Sequence, residues 1–293
     1  MTVNPTSPSS SSSSSTIPRG PVTAKLNFAT PLPAGVQAFN YTSTPPAGQP
    51  KTNVLPQPRD VLIEDIRGRE SDFTLDRDAF EVVTGVPPSR ETAFADDASI
   101  AANYYPEVTQ LLLSRIPGSA RVFIFDHTVR RAAPGSPRSA VMNVHIDQTA
   151  ASAAKRVVRH LGPDAEALLR GRYRIVNVWR PLNKGPVKSQ PLAFASSATL
   201  RQEDVLPIEH RYPEGYIGQI AGITYDPAQK WYYLSGMTGD ERLLLECFDS
   251  EALKEGSGVQ GGRVAHTAFD DPRTRADAEG RESIEVRALV FGP

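Results

Sequence analysis

The residue types that could do chemistry gather in one stretch, Asn143-Val144-His145-Ile146-Asp147-Gln148-Thr149. Weak alternation over Val141–Val144 predicts a strand, and Ala150–Ala154 opens a helix. His145 and Asp147 then stand at a strand end with both side chains on one face. A neutral imidazole nitrogen and a carboxylate oxygen converging on one point make two thirds of a 2-His-1-carboxylate set, which leaves three positions open on Fe(II). His-x-Asp alone is common at satisfied surface turns. The chemistry also needs a second histidine and an anion-binding arginine.

The second histidine must be His127, His160, His210 or His266. His127, beside Asp126, reads as a structural hydrogen-bonded histidine. His160 is on the helix after the motif, too near His145 to come from a later strand. His210 falls in a Glu-His-Arg-Tyr-Pro loop with no anion-binding strand after it. His266 lies within Arg263–Phe269 and is followed by Arg281-Glu282-Ser283 at the head of the last strand. That order suits a ferrous oxygenase. His266 closes the set, and Arg281 on an adjacent strand grips the far carboxylate of 2-oxoglutarate in a charge-assisted fork. Ser283 faces the same way and donates to the same carboxylate. Arg287, further along that face, is the alternative clamp.

These residues need a scaffold, and 293 residues suffice for one full core. Met1–Pro21, with its serine run Ser9–Ser15, reads as a disordered tail. Residues 22–293 read as one domain, entered by a proline-rich irregular arm that reaches about Arg59; its use at the active-site mouth or in a homodimer contact stays open. Short strands are expected at Val61–Ile63, Phe73–Leu75, Arg121–Phe125, Pro191–Ala195, Arg242–Phe248 and Ser283–Phe291. Between the second and third of these lies a helix through Ile100, Tyr104, Val108 and Leu112, capped by Asp96 or Asp97. Ser152 is the expected cap of the helix after the motif. Ile223–Leu234 reads as a hairpin around a proline-containing turn. On the strand Tyr173–Pro181, Asn177 and Trp179 share one face, suited to a barrel interior holding a polar ligand, while Arg180 on the other face is a candidate for an anionic substrate group or a second oxoglutarate contact.

Many short strands and few helices argue for a mainly β barrel or jelly roll over a βαβ fold. No G-x-G-x-x-G or Gly-Lys-Ser/Thr loop is present, so dinucleotide and P-loop readings fall away. With 32 Lys+Arg against 33 Asp+Glu, no basic field recruits nucleic acid or a membrane surface. No apolar run is long enough to span a bilayer, and no signal core opens the chain. The single cysteine, Cys247, fits a reducing, cytoplasmic compartment.

The blocks Phe125–Arg131, Val144–Gln148, Asn177–Leu182, Trp231–Tyr233 and Arg281–Arg287 stand in an order that resembles the fungal hydroxylase/desaturase family of secondary metabolism, which includes gibberellin-desaturase-like and cephamycin-methoxylation-like proteins. The similarity covers about Val61 to the end of the chain. It implies a double-stranded β-helix (jelly-roll, cupin-like) core with flanking α-helices, and Fe(II), 2-oxoglutarate and O2 as the chemical equipment. It implies His145, Asp147 and His266 as ligands and a small secondary-metabolite precursor as substrate, oxidised at an unactivated C–H bond by hydroxylation, desaturation or ring closure. The alternative is a non-catalytic accessory protein on the same fold. A zinc hydrolase using the same ligands lacks a paired general base at a motif spacing.

Overall fold

The computed structural model describes residues 17–132 and 140–292. The chain enters through β1 (Val22–Ala29), β2 (Ala38–Tyr41) and β3 (Pro56–Asp65). A one-turn helix α1 (Leu75–Asp78) leads to β4 (Phe80–Val83), and the long α2 (Asp97–Arg115) to β5 (Arg121–Arg130). β6 is only His145–Ile146, followed by α3 (Ala150–Leu161) and α4 (Ala165–Arg170). β7 (Arg172–Pro181), β8 (Leu192–Ala195), β9 (Val205–Arg211), β10 (Ile217–Ile223) and β11 (Trp231–Tyr233) follow. β12 (Arg242–Asp249), β13 (His266–Ala268) and β14 (Ser283–Gly292) complete the order.

These strands form a nine-stranded sheet, β1-β3-β11-β8-β13-β6-β10-β9-β2, and a five-stranded one, β4-β12-β7-β14-β5. Period-two alternation in the central strands explains how they pack. Ile175 of β7 and Leu289 and Phe291 of β14 point inward, meeting Leu26, Phe28, Ile63 and Trp231 of the larger sheet. Val176, Val178, Ile284, Val286 and Val290 point outward, where α2 covers them with Ile100, Tyr104, Val108 and Leu112. Both faces of β7 and β14 are therefore largely buried, and the polar residues they carry inward, Asn177, Glu285 and Arg287 among them, interrupt the apolar runs. The mainly β fold class is as expected, and Asp96 caps α2 by accepting from the Ser99 backbone N–H at 2.7 Å.

Several local expectations are corrected. The arm is not irregular: β1 pairs with β3 over its whole length, and β2 runs beside β9. Its prolines at 56 and 58 fall on the part of β3 that pairs with β1 alone, since β11 joins only at Ile63–Asp65. Of the tail, residues 1–16 lie outside the described residues. Arg19 to Pro21 are held by Arg273, which donates to their backbone carbonyls, and by Asp65, which accepts from the Gly20 N–H at 2.8 Å. Phe73–Leu75 is no strand; it approaches α1, and the strand comes later, at β4. β10 and β11 do not form the expected hairpin, because β8, β13 and β6 lie between them. Thr149, not Ser152, caps α3, its side chain accepting from the Ser152 N–H. His210 is on β9, not in a loop. β14 is not beside the His266 strand but belongs to the opposing sheet.

Candidate metal centre

β6 and β13 are neighbouring strands in the larger sheet, with His266 directly opposite His145. Their rings lie 4.4 Å apart, centroid to centroid. One ligand atom from each of His145, Asp147 and His266 falls within 4.8 Å of the other two. His145 and Asp147, two residues apart, and His266, distant in the chain, thus face one point.

Each donor is oriented from behind. His145 Nδ1 is 2.8 Å from the Asn143 carbonyl oxygen, and His266 Nδ1 is 3.3 Å from that of Val264. A carbonyl accepts only, so Nδ1 carries the proton in both rings and Nε2 is left with its lone pair for a metal. His145 Nε2 lies 3.3 Å from Asp147 Oδ1. The other oxygen, Asp147 Oδ2, accepts from Asn177 Nδ2 and from Arg287 Nε, each at 2.8 Å. Asn177 also donates to Glu285 at 2.6 Å, and Arg287 pairs with Asp126 at 3.1 Å.

The electrostatics follow from this packing. Burial opposes the charge on Asp147, but Arg287 and then His145 outweigh it and hold the carboxyl well below its usual range. Burial also opposes protonation of His145, yet the hydrogen bond and charge of Asp147 raise its pKa. Burial, with His145 close by, pushes His266 down to about 3. Two imidazoles and one ionised carboxylate on one side of a point make the donor set of a non-haem Fe(II) centre, and the partners behind each donor fit that role.

A cavity of about 380 Å³ opens onto the three donors. Arg281, Trp179, Glu285 and Arg287 line it from the smaller sheet. Arg281 is buried; burial and the neighbouring Arg130 bring its pKa down to about 10. Its Nη1 donates to the Gln190 carbonyl at 2.7 Å, and its guanidinium lies 5.6 Å from the Trp179 ring centroid. Gln190 presents that carbonyl from a left-handed backbone, φ 45°.

Not every expected site residue reaches the cavity. Ser283 is buried on the inward face of β14 but outside the cavity wall. Asn177 is likewise outside the wall and touches Asp147 and Glu285. Arg180 is placed on the outward face of β7, its guanidinium 5.0 Å from Phe94 and 5.6 Å from Tyr104 under α2, so it does not contact a ligand of this cavity. The side-chain alternation that turns Trp179 inward turns Arg180 away. His127 is bound to Tyr105 at 2.8 Å and to Asp97 at 3.2 Å, the structural place expected for it. Sequence reasoning weighed His210 only as a metal ligand and set it aside, and it missed Glu285 and the arm residues Asn27, Phe28, Asn40, Thr52 and Leu55; all of these are in the cavity wall. Glu285 shares the strand alternation of Arg281 and Arg287 and could have been found from it. The arm residues carry no such signal.

Comparison with known proteins agrees with this geometry. Residues 26–291 match a family described as an oxidoreductase/YMDC permease-like domain. Among the described residues no helix is long and apolar enough to cross a membrane. The hydroxylase/desaturase poxK of Penicillium oxalicum is 40% identical, over 94% of this chain and 92% of that protein. The Fe(II)/2-oxoglutarate-dependent dioxygenase nvfI of Aspergillus novofumigatus is 33% identical over 92% of this chain and 96% of its own. A solved structure of the iron and alpha-ketoglutarate-dependent endoperoxidase NvfI superposes with a TM-score of 0.83 at 31% identity, covering 94% of this chain and 99% of that one. The chain belongs to the fungal hydroxylase/desaturase family of Fe(II)/2-oxoglutarate-dependent dioxygenases. It is an enzyme of that class with a jelly-roll fold, and the similarity takes in the arm as well as the region from Val61 onward. The accessory-protein alternative is not favoured.

Proposed function

We propose that His145, Asp147 and His266 hold Fe(II), that Arg281 binds the distal carboxylate of 2-oxoglutarate, and that a small metabolite precursor is oxidised at an unactivated C–H bond. The observation that carries this is the orientation of the three donors. Each has a hydrogen-bond partner on the side away from the common point and one ligand atom directed toward it. Once bound, iron and 2-oxoglutarate would supply, with O2 as the oxidant, an oxidative decarboxylation to succinate and CO2 coupled to oxidation of the substrate carbon. The protein's own work is positional. Asn177 and Arg287 keep Asp147 ionised and turned toward the metal. Arg281, fixed by Gln190 and Trp179, offers the rest of its guanidinium fork to a carboxylate in a shielded pocket. Hydroxylation, desaturation and ring closure would then differ only in how the substrate carbon is posed. A cytoplasmic setting is in keeping with the single buried thiol, Cys247, whose pKa burial raises well above normal.

The test is anaerobic reconstitution with Fe(II) followed by 2-oxoglutarate, read by the visible charge-transfer band, then succinate release on admitting O2. His266→Ala should lose bound iron and the band while keeping its circular dichroism spectrum. Full iron occupancy in that variant would remove His266 from the centre.

A further inference from the structure

Beyond the metal and co-substrate, the two walls of the cavity differ in charge. Every formal charge in its lining comes from β5, the motif or the β14 region: Arg130, Asp147, Arg281, Glu285 and Arg287. The facing wall is built from the arm and from β9 and β10. Phe28, Val54, Leu55, Ile208 and Ile220 make it apolar, and the arm's polar contributions are amides and a hydroxyl, from Asn27, Asn40 and Thr52. We infer that this wall selects an uncharged, predominantly apolar substrate, whose polar atom is received by Asn40 and His210 at the rim. The inference rests on the oxygenase reading and deepens it by naming the substrate class.

Three observations carry it. Asn40 and His210 are partners in register on the parallel strands β2 and β9, so their side chains stand side by side. His210 lines the cavity beside Asn40, so an imidazole and an amide face the same opening from that wall. Leu55 is 64% exposed at the cavity edge, and Val141 across from the arm is 37% exposed. Large apolar side chains left in water around a cavity mouth gain by covering an apolar ligand. A charged ligand would shed water against this wall and meet no counter-ion there, which is strongly unfavourable. Close packing limits the wall's depth. A Cβ on Gly222, opposite His145 in the sheet, would come within 2.8 Å of Ile208 and 3.1 Å of Ala29.

The experiment uses the full chain with Fe(II) and 2-oxoglutarate under anaerobic conditions. Three probes on one ring system are compared by fluorescence titration: neutral prodan, its quaternary ammonium derivative, and the anionic toluidinyl-naphthalene sulfonate. Prodan should bind saturably with blue-shifted emission, about tenfold or more tighter than either charged probe. Leu55→Asp should erase most of that preference, and Val54→Asp is a second variant of the same wall should the first fold poorly. His210→Phe should weaken prodan while leaving the melting temperature near wild type, a split that a structural role would not give. Equal or tighter binding of a charged probe, or prodan binding indifferent to both aspartate variants, would overturn the inference. The charge-transfer band in the same sample reports separately on 2-oxoglutarate, so failure of the oxygenase reading is not confused with failure of this one.

Discussion

Arg281 and Arg287 stand on one face of the same strand region yet meet different partners. Arg287 is spent on protein carboxylates: Asp147 at 2.8 Å, Asp126 at 3.1 Å and Glu285 at 3.3 Å. Arg281 donates to a backbone carbonyl and forms no ion pair with a carboxylate of the described residues. Truncating one partner of a shielded guanidinium–carboxylate contact costs about 2–5 kcal/mol. Arg281→Ala should therefore raise the apparent constant for 2-oxoglutarate roughly thirty-fold or more, at about 1.4 kcal/mol per decade, with little change in iron affinity. Arg281→Lys should recover only part, since a point charge does not reproduce the planar fork. Arg287→Ala should instead weaken iron, because Asp147 loses its orienting partner. Isothermal titration with each ligand separates the two, and the opposite pattern would exchange their roles. The sequence left this choice open because strand alternation puts both arginines on one face. Only the position of Asp147, far away in the chain, distinguishes them.

At the scale of elements, β12 carries an unusual burden. Glu246 is fully buried, and neither carboxylate oxygen has a hydrogen-bond partner; Arg174 Nε lies 3.3 Å away. Burial first, and then the like charge of Asp249, raise its pKa well above normal. A carboxyl whose folded pKa is raised favours the folded state only in its protonated form. Its stabilising contribution is present below the unfolded pKa and is lost as pH rises toward the folded one. Glu246→Gln should thus match wild type in acid and become more stable at neutral pH, by about 1 kcal/mol, as read by melting temperature across a pH series. A variant less stable than wild type at neutral pH would show that the charge is compensated by Arg174. Strand identities such as β7, β12 and β14 were legible because their alternation is long and strongly apolar. The pairing of β10 with β9 and β6 was not, since a turn between two strands says nothing of three others inserted between them. The arm misled for a related reason: recurrent prolines signal irregular chain, yet the part of β3 with a neighbour on one side only tolerates them.

For the molecule as a whole, the metal should act as a fastener between segments. His145 and His266 come from strands that pair at only one residue position, and Asp147 is tied across to the smaller sheet through Arg287 and Asn177. A ligand bound only by the folded state stabilises it by mass action, about 2.7 kcal/mol at a hundredfold excess over its dissociation constant. Anaerobic Fe(II) should raise the melting temperature, a chelator should reverse the rise, and His266→Ala should be insensitive to both. The arm is fastened to the same place: the Val144 N–H donates to the Asn27 carbonyl at 2.8 Å, alongside the Asn27–Asn143 bridge. β14, last of the described strands in chain order, lies between β7 and β5 and brings the guanidinium that keeps Asp147 ionised. In chain order His145, Asp147 and His266 all precede that strand. The carboxylate is therefore held ionised only once β14 has docked, so the readiness of the proposed centre waits on assembly of the smaller sheet.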